Sequence, residues 1–168
     1  MNLPLSYDVP SPPSPTKFPL YSPRGSHLAT RVWSPLIDTE NIVALCLLVH
    51  GGGWHSGYFQ DLATYLNQHG IFCASYDQVN CGYSDPEPDI PSPGVVHVRD
   101  FDCFVEDLCE AVSWMQKEAS NTTAPVILFG ESFGSLQVGT LIDVRRLIIC
   151  LTKLLTFADN VLFNGIRF

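Results

Sequence analysis

The chain is poor in positive charge. Nine lysines and arginines stand against 17 aspartates and glutamates, giving a net charge of −8. With no basic stripe to meet phosphates, a nucleic-acid partner is excluded. Long apolar runs are also lacking. No stretch of about 18 uncharged apolar residues occurs, so no transmembrane helix is expected. Met1-Asn2-Leu3-Pro4 has neither the basic start nor the apolar core of a signal peptide. Asn121-Thr122-Thr123 fits a glycosylation sequon, but without a secretory signal it reads as chance. The cysteines (Cys46, Cys73, Cys81, Cys103, Cys109, Cys150) form no C-x-x-C pair. They are expected to be buried thiols in a reducing, cytoplasmic setting rather than disulfides or metal ligands. No Gly-Lys-Ser/Thr follows the glycine run at 51–53, which removes a Walker loop, and a dinucleotide fingerprint started at Gly51 fails at Ser56. No cofactor and no metal is implied, and no internal repeat is visible.

What is present is a rhythm of apolar runs and amphipathic stretches. Residues 1–20 carry Pro4, Pro10, Pro12, Pro13, Pro15 and Pro19. Such a segment sustains neither a helix nor a central strand and reads as a disordered arm, a proline-rich ligand being the sharper alternative. His27 to Trp33 alternates roughly as a strand. Ile42 to Val49 is a near-continuous apolar run, the pattern of a strand covered on both faces. Phe59, Leu62, Ala63 and Leu66 recur at helical spacing, with Ser56 as the expected N-cap and Gly70 as the stop. Ile71 to Tyr76 reads as the next strand, and a proline-rich loop follows from Asn80. A second helix is predicted over 98–117. Its expected buried stripe is Phe101, Phe104, Val105, Leu108, Val112 and Met115, with Asp100 and Asp102 near its start and Lys117 at its end. Val126 to Phe129 is a short apolar strand. Strands alternating with helices imply an α/β fold with a mostly parallel sheet.

Gly130-Glu131-Ser132-Phe133-Gly134 follows that last strand directly. Five residues with three fixed recur by chance. Placed after a buried strand in a β/α series, they mark a serine nucleophile elbow, in which a tight strand-to-helix turn lifts the hydroxyl above the sheet. The bland alternative is a helix start that happens to contain a serine. His50-Gly51-Gly52-Gly53-Trp54 follows another buried strand, as an oxyanion loop should. The backbone N–H groups of Gly52 and Phe133 are the expected oxyanion donors, the second reinforced by the helix N-terminus. His50 is expected to order this loop by hydrogen bonding rather than to act as a base.

In their order and spacing, His50–Gly57 (HGGGWHSG), Asp77–Ser84 (DQVNCGYS), Asp100–Lys117 and Gly130–Gly134 resemble the monoacylglycerol lipase-like α/β-hydrolases. That group includes lysophospholipase-like and serine aminopeptidase-like members. The resemblance covers roughly residues 21–134. It implies an α/β-hydrolase fold and hydrolysis of acyl esters, monoacylglycerol-like or lysophospholipid-like, with Ser132 as nucleophile and the Gly52 and Phe133 amides as oxyanion hole. The chain also departs from the pattern. The family loop D-x-x-G-H-G-x-S keeps Asp77, Gly82 and Ser84, but Asn80 and Cys81 replace its Gly-His pair. The triad of such enzymes runs Ser, acid, His in chain order, yet residues 133–168 contain no histidine. Asp159 is too near Ser132 to stand at the acid position. His55 and His97 precede the serine and match no family base, and neither Cys81 nor Cys103 has a base beside it.

Three segments are therefore expected: a proline-rich arm (1–20), the N-terminal part of an α/β-hydrolase domain (21–134) and a divergent C-terminal tail (135–168). The tail holds the apolar run Leu147–Leu151 and reads as a foreign ending rather than a native continuation. The leading function is serine ester hydrolysis at family level, on a lipid or other acyl-ester small molecule. Its rival is a catalytically inactive truncated fragment or binding module lacking the acid and histidine. A cytoplasmic location with peripheral membrane contact is expected. So is self-association, because a sheet cut after the elbow strand would expose an edge.

Overall fold

The computed structural model describes residues 12–14, 20–36, 38–87, 100–121 and 123–145. Among these residues four strands form one sheet: β1 (Thr30–Trp33), β2 (Ala44–Val49), β3 (Ile71–Tyr76) and β4 (Val126–Gly130). Three α-helices among them flank it: α1 (Gln60–Asn67), α2 (Phe101–Glu118) and α3 (Phe133–Arg145). The strand order is β1-β3-β2-β4. β2 runs parallel to β3, with Cys46 opposite Cys73, and parallel to β4, with Cys46 opposite Ile127. β1 is antiparallel to β3. The sheet is thus mixed at one edge and parallel elsewhere, as the β/α alternation predicts.

β2 shows why an unbroken apolar run was needed. All six of its residues are buried, and they divide by alternation. Leu45, Leu47 and Val49 join the larger core with Phe104, Leu108, Met115 and Val138 of α2 and α3. Cys46 and Leu48 join Phe59, Ala63, Cys73 and Trp33 on the α1 side. Each fully buried leucine or valine contributes about 1.5–3 kcal/mol, so this strand anchors both layers.

Local sequence sets the helix ends. The Asp100 carboxylate accepts from the Asp102 amide at 3.0 Å and caps α2, while Lys117 lies in its last turn. Gly70 takes φ +75° just beyond α1, the left-handed stop that glycine supplies. One expectation is corrected here. Ser56 does not cap the helix after β2. The His55 ring caps the 3-10 turn over Ser56–Phe59, accepting from the Gly57 amide at 3.1 Å, and α1 follows that turn with no side-chain cap of its own. The Ser56 hydroxyl is engaged elsewhere, as described below. The buried face of α2 is also wider than its apolar stripe, since Asp107 and Trp114 lie on it. The Arg24 guanidinium reaches Asp107 at 2.9 Å. Burial nevertheless pushes the Asp107 carboxyl upward, against the opposing pull of its hydrogen bonds and of Arg24. His97, Cys150, Asp159 and the run Leu147–Leu151 lie outside the described residues.

Candidate active site

Ser132 stands in the two-residue turn between β4 and α3 and is exposed. Its φ is +49°, a left-handed conformation that costs a non-glycine residue roughly 1–2 kcal/mol. Such strain persists only where the surroundings impose it. Here backbone packing does so. The Glu131 amide donates to Val49 O at 3.0 Å, that of Gly134 to Glu131 O at 2.8 Å and that of Ser135 to Ser132 O at 2.9 Å. The Ser135 hydroxyl donates to Gly130 O at 2.8 Å. A Cβ on Gly130 would lie 2.6 Å from the Ser135 nitrogen, and one on Gly134 would lie 2.8 Å from the Val49 carbonyl carbon. Both glycines of the motif are therefore required because strand, turn and helix cross at backbone contact.

The loop after β2 approaches this turn. A Cβ on Gly51 would lie 3.1 Å from Ser132 Cβ and 3.3 Å from Glu131 Cδ. Gly52 and Gly53 form the corner of a turn closed by the Trp54 amide on Gly51 O at 3.3 Å, and Gly53 takes φ +78°. Gly52 is the residue that follows this contact of Gly51. Phe133 opens α3, where amides have no helical acceptor. Its ring packs edge-on against Phe101 at 5.7 Å and Phe104 at 5.2 Å, pinning the helix start to α2.

Beneath the loop lies a buried polar network. His50 is fully buried. Its Nδ1 lies 2.7 Å from Gly51 O and its Nε2 accepts from the Gln78 amide at 2.9 Å. That pairing defines a neutral ring with the proton on Nδ1, and burial lowers its pKa. His50 therefore orders the loop, in keeping with the sequence reading. Asp77 is also fully buried. Its Oδ1 accepts from the Ser56 amide at 2.6 Å and from the Ser56 hydroxyl, and its Oδ2 accepts from the Tyr83 amide at 2.8 Å. One carboxylate thus holds the loops after β2 and β3 together. Gly82, at φ +53°, packs against that carboxylate so closely that a side chain there would collide with it.

Three participants were not found from sequence. Arg31 on β1 donates from Nε to the Ser56 hydroxyl at 3.0 Å. Gln137 of α3 donates to Gln78 Oε1 at 2.9 Å, and Gln78 donates back to His50 O. Uncharged or lone polar residues in otherwise apolar segments carry no motif, and only a burial prediction would have signalled them. Among the described residues, no histidine or carboxylate hydrogen-bonds the Ser132 hydroxyl. His55 is exposed and occupied as a cap. Burial raises the Cys81 thiol pKa, which makes it a poor nucleophile. No group of side chains among the described residues is suited to hold a metal ion.

Residues 40–149 match the family model described as serine aminopeptidase, S33. Human monoglyceride lipase is 34% identical over 110 residues, which cover 66% of this chain and 32% of that protein. The mouse enzyme is 30% identical over 122 residues, covering 73% and 36% respectively. The chain thus spans about a third of the length of these relatives. Among solved structures, a thermostable carboxyl esterase from Bacillus coagulans superposes with a TM-score of 0.64 at 18% identity, covering 80% of this chain and 41% of that one. A soluble variant of monoglyceride lipase from Saccharomyces cerevisiae superposes with a TM-score of 0.52 at 20% identity, covering 80% and 40%. Sheet order, elbow turn and family match converge, and the chain belongs to the serine aminopeptidase S33 family of α/β-hydrolases.

Proposed function

We propose that this chain carries the nucleophile half of a serine ester hydrolase acting on acyl esters of the monoacylglycerol or lysophospholipid kind. The observation that carries the reading is Ser132, held at φ +49° in a strand-to-helix turn against the glycine loop. In this reading Ser132 Oγ attacks the acyl carbonyl and forms a tetrahedral intermediate. The Gly52 and Phe133 amides donate to its oxyanion, and the N-terminus of α3 adds its partial positive charge. Collapse expels the alcohol and leaves an acyl-serine, which water hydrolyses. A general base must accept the serine proton in the first step and return it to the leaving alcohol. The human and mouse relatives are monoglyceride lipases, which supports the ester class.

The second reading is a binding module without turnover, favoured by the described residues, among which no histidine or carboxylate hydrogen-bonds Ser132. An alkyl fluorophosphonate followed by peptide mass spectrometry separates the two, with p-nitrophenyl ester turnover run alongside. With imidazole supplied in solution as the base that phosphonylation of the hydroxyl needs, the hydrolase reading expects an adduct confined to Ser132 and lost in Ser132→Ala. Turnover by these 168 residues alone is expected to stay near background, since a serine without its base retains little catalysis. No adduct above the level of other serines would overturn the nucleophile assignment and favour the binding module. Robust turnover abolished by Ser132→Ala would instead require a base among the earlier histidines or from a second chain.

A further inference from the structure

Arg31 of β1 is 6% exposed, and its guanidinium is always charged. A buried cation needs partners. Among the described residues it bonds to no carboxylate directly. Its Nε donates to the Ser56 hydroxyl at 3.0 Å, and its Nη1 donates to the carbonyl of Pro13. The Ser56 hydroxyl donates in turn to Asp77 Oδ1, and Asp77 Oδ2 holds the Tyr83 amide at 2.8 Å. A polar chain therefore runs from the arm, through Arg31 and Ser56, to the loops after β2 and β3. Its outer end is Pro13, which belongs to the proline-rich arm that the serine chemistry leaves unexplained. Pro13 is half-buried. It also lines the cavity bounded by Trp33, Gln60 and Thr64, so it lies against α1 as well as β1.

We propose that the Pro12-Pro13 segment of the arm is an intramolecular ligand of this face, a strap that braces the two loops joined by Asp77 by capping Arg31. The chemistry suits a proline-rich segment. Proline fixes φ and carries no N–H, and a residue before proline is held extended. Pro12-Pro13 therefore presents its carbonyl with little conformational entropy left to lose. Extended proline segments dock on aromatic-lined grooves for the same reason, and Trp33 stands in the wall here. With the strap docked, Arg31 stays on Ser56, and the Ser56 hydroxyl stays aimed at Asp77. With the strap released, water reaches the guanidinium and competes for both bonds. The loop after β2 then loosens at Ser56 and the loop after β3 at Tyr83, while α2 is untouched. The strap links the state of the arm to the order of these loops, and it does so whether or not Ser132 is reactive.

Amide hydrogen exchange, read by NMR on the full 168-residue chain, tests this. The double variant Pro12→Gly/Pro13→Gly keeps the carbonyl but frees its position. It is expected to keep the wild-type melting curve and the wild-type exchange across α2. Exchange at the Ser56 and Tyr83 amides is expected to rise about tenfold, the effect of loosening one hydrogen bond from a charged donor. A synthetic peptide of residues 8–17, added in excess, is expected to restore slow exchange to this variant, and the same peptide with glycine at every proline is not. Arg31→Lys keeps the charge but lacks the fork that reaches both partners. It is expected to show the same local rise and no response to the peptide. Ser132→Ala is expected to exchange as the wild type does, so failure of the nucleophile reading leaves this result in place. Unchanged exchange at Ser56 and Tyr83 in the double variant would overturn the proposal. So would a rise shared equally by α2, which would make the arm a general stabiliser, and so would rescue of Arg31→Lys by the peptide. Slow exchange that is lost when the wild type is diluted would replace the strap with an exchange of arms between copies of the chain.

Discussion

Two loops meet at the C-terminal edge of the sheet, and they are held in opposite ways. The loop after β2 is fixed by buried side chains: His50 on Gln78, and Ser56 on Asp77 with Arg31 behind it. The turn after β4 is fixed by backbone contact, with two glycines that admit no side chain and a serine in a left-handed conformation. The first arrangement depends on protonation and on every partner being present. The second depends on volume. The same edge therefore has two distinct points of failure, and substitution reaches each by a different route.

The comparison breaks most sharply at Asp77. Asp77→Ala leaves the amides of Ser56 and Tyr83 and the Ser56 hydroxyl without their buried acceptor. A loss of about 3–5 kcal/mol in unfolding free energy is expected by urea titration. Gly134→Ala tests the other side. Its Cβ would press on the Val49 and His50 backbone, which cannot swing aside, and a loss of about 2–3 kcal/mol is expected in the same titration. If Asp77→Ala proved the milder of the two, the side-chain network would be secondary.

Acid should separate the loops further. Burial holds the His50 pKa below its ordinary 6.5, outweighing the bond to Gly51 and the nearby Asp77, while His55 pushes in the same direction as burial. The unfolded chain therefore takes up this proton first as pH falls. The contribution is complete above pH 6.5 and is lost as pH drops toward the lower folded value. Melting temperature is expected to decline across that window, and less steeply in His50→Gln. An equal slope in the variant would assign the acid sensitivity to other groups. The smallest effect is expected at the strained serine. Ser132→Gly relieves φ +49° and should raise stability by about 0.5–1 kcal/mol while removing the hydroxyl. A decrease would mean that the turn is not strained.

The sequence made the backbone half of this comparison legible and left the side-chain half obscure. Val126–Phe129 ahead of Gly130-Glu131-Ser132-Phe133-Gly134 placed the turn because an apolar run and a glycine pair are local signals. Ile71–Tyr76 matched its strand to the residue for the same reason. The polar network is built from residues far apart in the chain. Ser56 looked like a helix cap because a serine before a helical pattern usually is one, and nothing nearby shows that Asp77 claims its hydroxyl. Asp107 broke the apparent polar face of α2 only because Arg24, on a distant loop, meets it.

The strand order carries a kinetic consequence. β2 pairs with β3 through Leu45 and Phe72, and with β4 through Leu45 and Val126. The first closure spans one short helix, and the second spans most of the domain. Distant pairings carry the larger loop-closure entropy and slow folding. During synthesis the β2–β3 unit, with its glycine loop already tethered, can assemble before β4 emerges. The serine turn then docks onto a surface that is already standing, and Val49, offering its carbonyl to the Glu131 amide, is where it lands.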